Sequence, residues 1–229
     1  MKSAIKEIYY KIFDSLLGDN RTKLLPLSKI EKQLLSLQKQ GYLYDEGWIR
    51  SYLEKNVIDL NGNPKPWLTF TATQFLEERL NNKLDLFEFG GGNSTLFWAK
   101  KCNSVNTVEH DLEWFNKIKG NKIANVEMYY QELEYDSEYC RFPNKLDKEF
   151  DIIIVDGRDR VNCCKNSINS LRSSGVIVLD DSIRPRYIEA SNYLIAHGFR
   201  KLNFWGMEAL YTHKTCTTIF YKEDNCLGI

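Results

Sequence analysis

Leu86-Phe87-Glu88-Phe89-Gly90-Gly91-Gly92-Asn93-Ser94-Thr95 joins an apolar run to a glycine triplet and then to a helix-forming segment. Strand, glycines, helix is how an open α/β sheet holds a nucleotide-like ligand at the carboxyl end of a strand. Glycines let the backbone approach a ligand closely and adopt positive φ. The pattern repeats outward from this stretch. Leu84 to Phe89 reads as a buried strand and Ser94 to Lys101 as a helix. Val105 to Glu109 is a second strand, and Asp111 caps a helix ending near Lys119. Val126 to Tyr130, Phe150 to Val155 and Gly175 to Leu179 read as three more strands. Helices are expected through Cys164, Ile168 and Leu171, and from Tyr187 to His197 before Gly198. Strands that are near-continuous apolar runs, alternating with helices, predict a parallel sheet covered on both faces. Lys201–Trp205 and Thr217–Tyr221 follow with no helix between them, which predicts an antiparallel pair.

The region before residue 71 reads differently. Ile5, Ile8, Tyr9, Ile12, Phe13 and Leu16 lie on one face of an amphipathic helix, and Lys6, Glu7, Lys11 and Asp14 break any secretion-signal pattern. Ile30, Leu34, Leu35 and Leu37 mark a second helix stopped by Gly41. Residues 41–70 are irregular and aromatic-rich, with a turn signal at Asn61-Gly62-Asn63-Pro64. A short helix is expected over Thr71–Leu80. The expected organisation is a helical and irregular cap over 1–70 and an α/β domain over 71–229.

Composition sets further bounds. The chain has 229 residues, with 31 Lys plus Arg against 31 Asp plus Glu. A net charge of zero gives no global field to attract nucleic acid or an anionic membrane, so neither is an expected partner. No apolar run approaches the ~18–20 residues of a membrane-spanning helix. The six cysteines form no CxxC pair, and Cys163 and Cys164 are adjacent, too close for an ordinary disulfide with each other. Reduced thiols and a cytoplasmic location are the expectation.

Two acids qualify the ligand. Glu109 ends the second strand nineteen residues after Gly90, where a carboxylate can accept hydrogen bonds from ribose hydroxyls. Glu88 sits two residues before Gly90, where a pyrophosphate would gain nothing and a cation would. The third glycine of a dinucleotide loop is replaced by Thr95. S-adenosylmethionine, with a sulfonium, an ammonium and no phosphate, suits this pattern.

The run Glu88-x-Gly90-x-Gly92, Glu109 after the second strand, Asp156 after the fourth and the C-terminal strand pair resemble class I S-adenosylmethionine-dependent methyltransferases, over about residues 84–222. Pro66-Trp67-Leu68-Thr69-Phe70, the glycine stretch, Asp156-Gly157-Arg158 and Thr217-Thr218-Ile219-Phe220 are similar to a bacterial methyltransferase-like group. Ser94 replaces the last glycine of the usual triplet. The resemblance implies a Rossmann-like, doubly wound, mostly parallel seven-stranded sheet with a C-terminal antiparallel strand. It implies that Glu88 and Gly90, Gly91, Gly92, Asn93 and Ser94 organise the methionine end. Glu109 would then hold the ribose, and His110 would lie beside the adenosine. S-adenosylhomocysteine would be the product.

The fourth and fifth strands end in Asp156-Gly157-Arg158-Asp159-Arg160 and Asp180-Asp181-Ser182-Ile183-Arg184, both at the ligand edge of the sheet. Asp156 is expected near the transferred methyl, with Asp156 and Asp181 as base candidates. Arg158 and Arg184 are expected to grip the acceptor and Trp67 to line its pocket; an acid–arginine network tying two loops together is the alternative. Asp156, Asp180 and Asp181 also resemble the Mg-binding acids of catechol-type O-methyltransferases, but Arg158 would compete with a cation, and no metal is assigned. The expected activity is methyl transfer to a small-molecule or sugar-like acceptor. The alternatives are a methyltransferase-fold nucleoside-binding protein without catalysis, and an NAD-linked oxidoreductase.

Overall fold

The computed structural model describes residues 28–120 and 123–229. The expected helix over Ile5–Leu16 lies outside them. Contacts divide the chain between Asp45 and Glu46. In the first unit, helix α1 (Lys29–Ser36) is opened by a reciprocal cap: the Ser28 hydroxyl accepts from the Glu31 amide, and the Glu31 carboxylate accepts from the Ser28 amide. A short α2 (Tyr42–Asp45) follows Gly41.

The second unit runs from Glu46 to Ile229. Residues 46–70, grouped by sequence with the cap, therefore belong to the same unit as the sheet. It contains α3 (Trp48–Glu54), α4 (Phe70–Glu77), β1 (Asp85–Phe89), α5 (Asn93–Ala99), β2 (Ser104–Glu109), α6 (Leu112–Lys119), β3 (Val126–Tyr130), β4 (Phe150–Val155), α7 (Arg160–Ser167), β5 (Leu171–Leu179), α8 (Ile188–Ala196), β6 (Arg200–Gly206) and β7 (Thr215–Tyr221). The strands form one seven-stranded sheet in the order β3-β2-β1-β4-β5-β7-β6. The first five are parallel, and β7 is antiparallel to both its neighbours. This is the Rossmann-like, doubly wound sheet anticipated from sequence.

The registers align the strand ends. Phe89 pairs with Val108 on one side and Val155 on the other, and Val155 pairs with Leu179. The residues that follow, Gly90, Glu109–His110, Asp156 and Asp180, therefore emerge at one edge. The chain winds outward in both directions from β1 and β4, which makes this edge the switch point where such sheets open a crevice.

Strand parity sorts the core into two layers. Phe87, Phe89, Ile153, Val155, Ile177 and Leu179 pack on one face with Cys163 and Cys164 of α7 and Leu194 of α8. Leu86, Ile152, Ile154, Val176 and Val178 pack on the other with Trp98 of α5 and Leu76 of α4. All six cysteines are free thiols, five of them buried.

One element differs from expectation. The helix expected through Leu171 stops at Ser167, a single 3-10 turn follows, and Leu171 opens β5. Leu171 pairs with Phe150, and a register shift before Ile152 absorbs the extra chain. The aromatic segment is stitched to the sheet's far end. The Thr69 amide donates to the Thr217 hydroxyl, the Phe70 amide to the Met207 carbonyl, and Thr69 bridges Glu208. No helix among the described residues is long and apolar enough to cross a membrane.

Candidate active site at the carboxyl edge of the sheet

A cavity of about 580 Å³ opens at the switch point. Its lining includes Gly90–Ser94, Glu109, His110, Asp156, Arg158, Asp181, Arg184 and Trp67. Of the residues nominated from sequence, only Glu88 is absent from it.

Glu88 is fully buried on the face it shares with Leu86, beneath α5 rather than in the crevice. Its carboxylate accepts from the Thr95 hydroxyl at 2.5 Å and from the Trp98 indole at 2.8 Å. Burial pushes its pKa up to about 7, against the lowering effect of hydrogen bonds from Thr95 and Ser94. Glu88 thus pins the first turns of α5. Glu88, expected from sequence to organise the methionine end with the glycine loop, lies outside the cavity lining and bonds to the helix that follows that loop.

The glycine loop is internally satisfied. The Gly90 amide donates to the Val108 carbonyl at 2.9 Å, Gly91 to Glu109 at 3.1 Å, and Gly92 to the Thr95 hydroxyl at 3.0 Å. Gly90 sits at φ +89°, and a Cβ there would meet the Gly157 Cα at 2.9 Å. Only glycine fits this crossing of two backbone turns. A dinucleotide loop offers its amides to phosphate oxygens; here the amides of all three glycines are already used.

Glu109 is 3% exposed. One oxygen accepts from the His110 and Asp111 amides at 2.7 and 2.8 Å, and the other from Gly91. Burial pushes its pKa up, but the His110 contact and these amides outweigh it, and the net shift is downward. A carboxylate has about four acceptor positions, so roughly one remains for a ribose hydroxyl. His110 Nδ1 lies 2.8 Å from Glu109 but outside hydrogen-bond geometry, and its ring meets Tyr139 edge-on at 5.8 Å.

The floor of the cavity is acidic. Asp156 pairs with Arg160 at 2.8 Å, and Arg160 reaches Asp180 at 3.3 Å. Asp180 also accepts from Thr217 at 2.7 Å. Asp181 accepts from Thr215 at 2.8 Å and pairs with Arg184. Burial, with Asp180, Glu88 and Glu208 nearby, holds Asp156 well above the usual carboxylate range despite Arg160. Burial and Asp181 likewise raise Asp180 against the pull of Arg160. The acid–arginine network weighed from sequence is therefore present, and Arg184 is engaged in it. The Arg158 guanidinium carries no ion pair among the described residues and lies exposed at the rim.

Glu208 was not anticipated. It is 3% exposed and lines the cavity, and its carboxylate oxygen lies within 4.8 Å of those of Asp180 and Asp181. No sequence motif marks it; the bridge to Thr69 and the adjoining bond from the Phe70 amide to the Met207 carbonyl bring it to the site. Trp67 stacks on Tyr211 at 5.6 Å to form an aromatic rim, and the Trp48 indole donates to the Tyr211 carbonyl.

Comparison with known proteins gives the fold class. The precorrin-6y C5,15-methyltransferase of Geobacter metallireducens superposes with a TM-score of 0.53 at 17% identity, covering 67% of this chain and 87% of that one. An rRNA methylase from Streptococcus thermophilus gives 0.49 at 13% identity over 66% and 93% of the two chains. A precorrin 8w decarboxylase from Methanobacterium thermoautotrophicum gives 0.49 at 18% over 74% and 97%. No protein-family model and no curated protein matches the sequence. The chain thus shares the Rossmann-like fold of the precorrin-6y C5,15-methyltransferase.

Proposed function

We propose that this protein is an S-adenosylmethionine-dependent methyltransferase acting on a small-molecule or sugar-like acceptor. The observation that carries the reading is the charge of the crevice. Among the described residues Asp156, Asp180 and Asp181 pair with Arg160 and Arg184 and Glu208 pairs with none, beside a glycine loop whose amides are already bonded; Lys55, Lys65, Arg158 and Arg186 also line the cavity, so the surplus of acid is confined to its floor. Such a floor has little to offer a pyrophosphate and much to offer a cation, since buried charge requires a partner. This argues against the NAD-linked alternative.

The residues fit the cofactor. The Gly90–Gly92 backbone lines the cavity, the Trp114 indole donates to the Gly91 carbonyl at 2.7 Å, and the first turn of α5 at Asn93 and Ser94 lies beside it. The one acceptor position left on Glu109 would take a ribose hydroxyl, with His110 beside the nucleoside. When bound, S-adenosylmethionine supplies a methyl group activated by its sulfonium. The chain's own share is positioning. Asp156, fixed at the end of β4 and paired with Arg160, would lie near the sulfonium, whose positive charge would favour its ionised form. Asp181 lies across the same floor. Trp67 and Tyr211 would cover an acceptor at the rim, and Arg158 is free to meet an anionic group on it.

Label transfer tests the reading. Protein incubated with methyl-tritiated S-adenosylmethionine and a small-metabolite extract should move label into the small-molecule fraction. Asp156→Asn should still bind S-adenosylhomocysteine yet slow transfer by about 10² or more. Tight S-adenosylhomocysteine binding without any transfer would favour the non-catalytic alternative.

A further inference from the structure

We infer that Glu208, with Asp180 and Asp181 beside it, receives the protonated amino group of the acceptor, so that the substrate is an amine. The inference rests on the methyltransferase reading and deepens it.

The acids of the crevice are not equivalent. Asp156 has Arg160, Asp180 has Thr217 and Arg160, and Asp181 has Thr215 and Arg184. Glu208 is as buried as Asp180 and Asp181, yet among the described residues it accepts no hydrogen bond and makes no ion pair. Its oxygens are not among the sealed, unpartnered atoms, so they open to the cavity, and a carboxyl in such surroundings ionises at a cost unless a cation meets it. Glu208 comes from a different part of the chain than the aspartates, held by the backbone bridge between Thr69 and Glu208 and by the bond from Phe70 to Met207. Its carboxylate is aimed at Asp180 and Asp181 in a cavity large enough for a ligand. The arrangement lacks a donor group carrying positive charge.

A protonated amine supplies both. It has up to three N–H donors for Glu208, Asp180 and Asp181, and its charge offsets the surplus of acid over arginine. A hydroxyl supplies no charge, and a carboxylate or phosphate would be repelled. A divalent cation would have to share the aspartates with Arg160, 3.3 Å from Asp180, and with Arg184 on Asp181.

The charged groups around Glu208 are Asp156 after β4, Arg160 on α7, and Asp180, Asp181 and Arg184 after β5. Burial and the two neighbouring aspartates push Glu208 up to about 8, against the arginines. That supports a second role. Binding of the ammonium first releases the Glu208 proton to solvent; an N–H bond of the bound ammonium then breaks, its proton forms an O–H bond with the Glu208 carboxylate, and the electron pair stays on nitrogen as the lone pair methylation needs.

The test uses the whole chain saturated with S-adenosylhomocysteine, whose own binding is first measured by calorimetry. Matched amine and alcohol probes are then titrated: glucosamine against glucose, and benzylamine against benzyl alcohol. At pH 7 at least one amine should bind tenfold or more tightly than its alcohol twin. Glu208→Gln should abolish that preference while keeping its S-adenosylhomocysteine affinity. Carboxyl-¹³C NMR of the wild-type protein, which needs no variant, should show Glu208 titrating near neutrality and shifting to lower pH when the amine binds. No preference in either pair, a preference that survives Glu208→Gln, or Mg²⁺ binding that needs Glu208 without amine selectivity would overturn the assignment. Loss of S-adenosylhomocysteine binding in the wild-type protein would instead overturn the methyltransferase reading beneath it.

Discussion

Replacing Glu208 by glutamine should stabilise the protein in alkaline solution. Burial and the proximity of Asp180 and Asp181 lift this carboxyl from an ordinary value of 4.5 to about 8. Between those limits the unfolded chain has lost the proton and the folded chain keeps it. The folded state therefore binds more protons, and stability falls as pH rises, by at most ~1.4 kcal/mol per pH unit. Across the whole window the upper bound is ~5 kcal/mol. Relaxation around the site and the two arginines reduce this, and ~2 kcal/mol between pH 6 and 8.5 is the expected share. That is measurable against the ~5–15 kcal/mol of a typical domain. Glutamine keeps the volume, carries no charge and offers an N–H donor to Asp180 or Asp181. Urea denaturation of both proteins at pH 6 and 8.5 reads the difference. The wild type should lose ~2 kcal/mol more than Glu208→Gln as pH rises. Parallel pH profiles would show that Glu208 ionises normally, and the electrostatic account of the cavity floor would fail.

Three further substitutions probe the site's frame. Glu109→Ala should weaken S-adenosylhomocysteine at least tenfold and also destabilise the free protein, since it orphans the Gly91, His110 and Asp111 amides; a loss of ~2 kcal/mol in urea denaturation is expected. Because the Glu109 pKa is lowered, its stabilisation is present above about pH 4.5 and vanishes as pH falls through the folded value, which the same titration at acid pH should reveal. In Gly157→Ala the new Cβ would lie 2.1 Å from the Tyr139 hydroxyl, so the melting point should drop by several degrees, and Tyr139→Phe should restore part of it. Thr95→Val removes a donor from Glu88 and an acceptor from the Gly92 amide; calorimetric melting should show a loss of ~1–3 kcal/mol.

Much of the fold was legible because β1, β4 and the last turns of β5 are apolar runs bounded by glycine or acid, a pattern that helices do not share. Leu171 misled because it continues the helical period of Cys164 and Ile168, whereas its pairing with Phe150 is a contact between distant residues that local periodicity does not show. At the site, Gly90–Gly92, Glu109 and Asp156 were legible from their place at strand ends. The burial of Glu88 was not, since strand parity says which face a residue takes but not which face the ligand uses. Glu208 was illegible for a plainer reason. It follows a half-exposed edge strand, belongs to no motif, and reaches the cavity through its pairing with Thr69 and the adjoining bond from Phe70 to Met207. The 70/71 boundary had the same origin: local irregularity over 46–70 concealed long-range hydrogen bonds to Met207 and Thr217.

The central claim is that this crevice selects a cationic, phosphate-free nucleoside. Calorimetric titration of the purified chain with S-adenosylmethionine, S-adenosylhomocysteine and NAD compares the candidates in one cell. The account predicts one-to-one binding of S-adenosylmethionine and S-adenosylhomocysteine and no heat from NAD. Binding of NAD with no response to S-adenosylmethionine would contradict it.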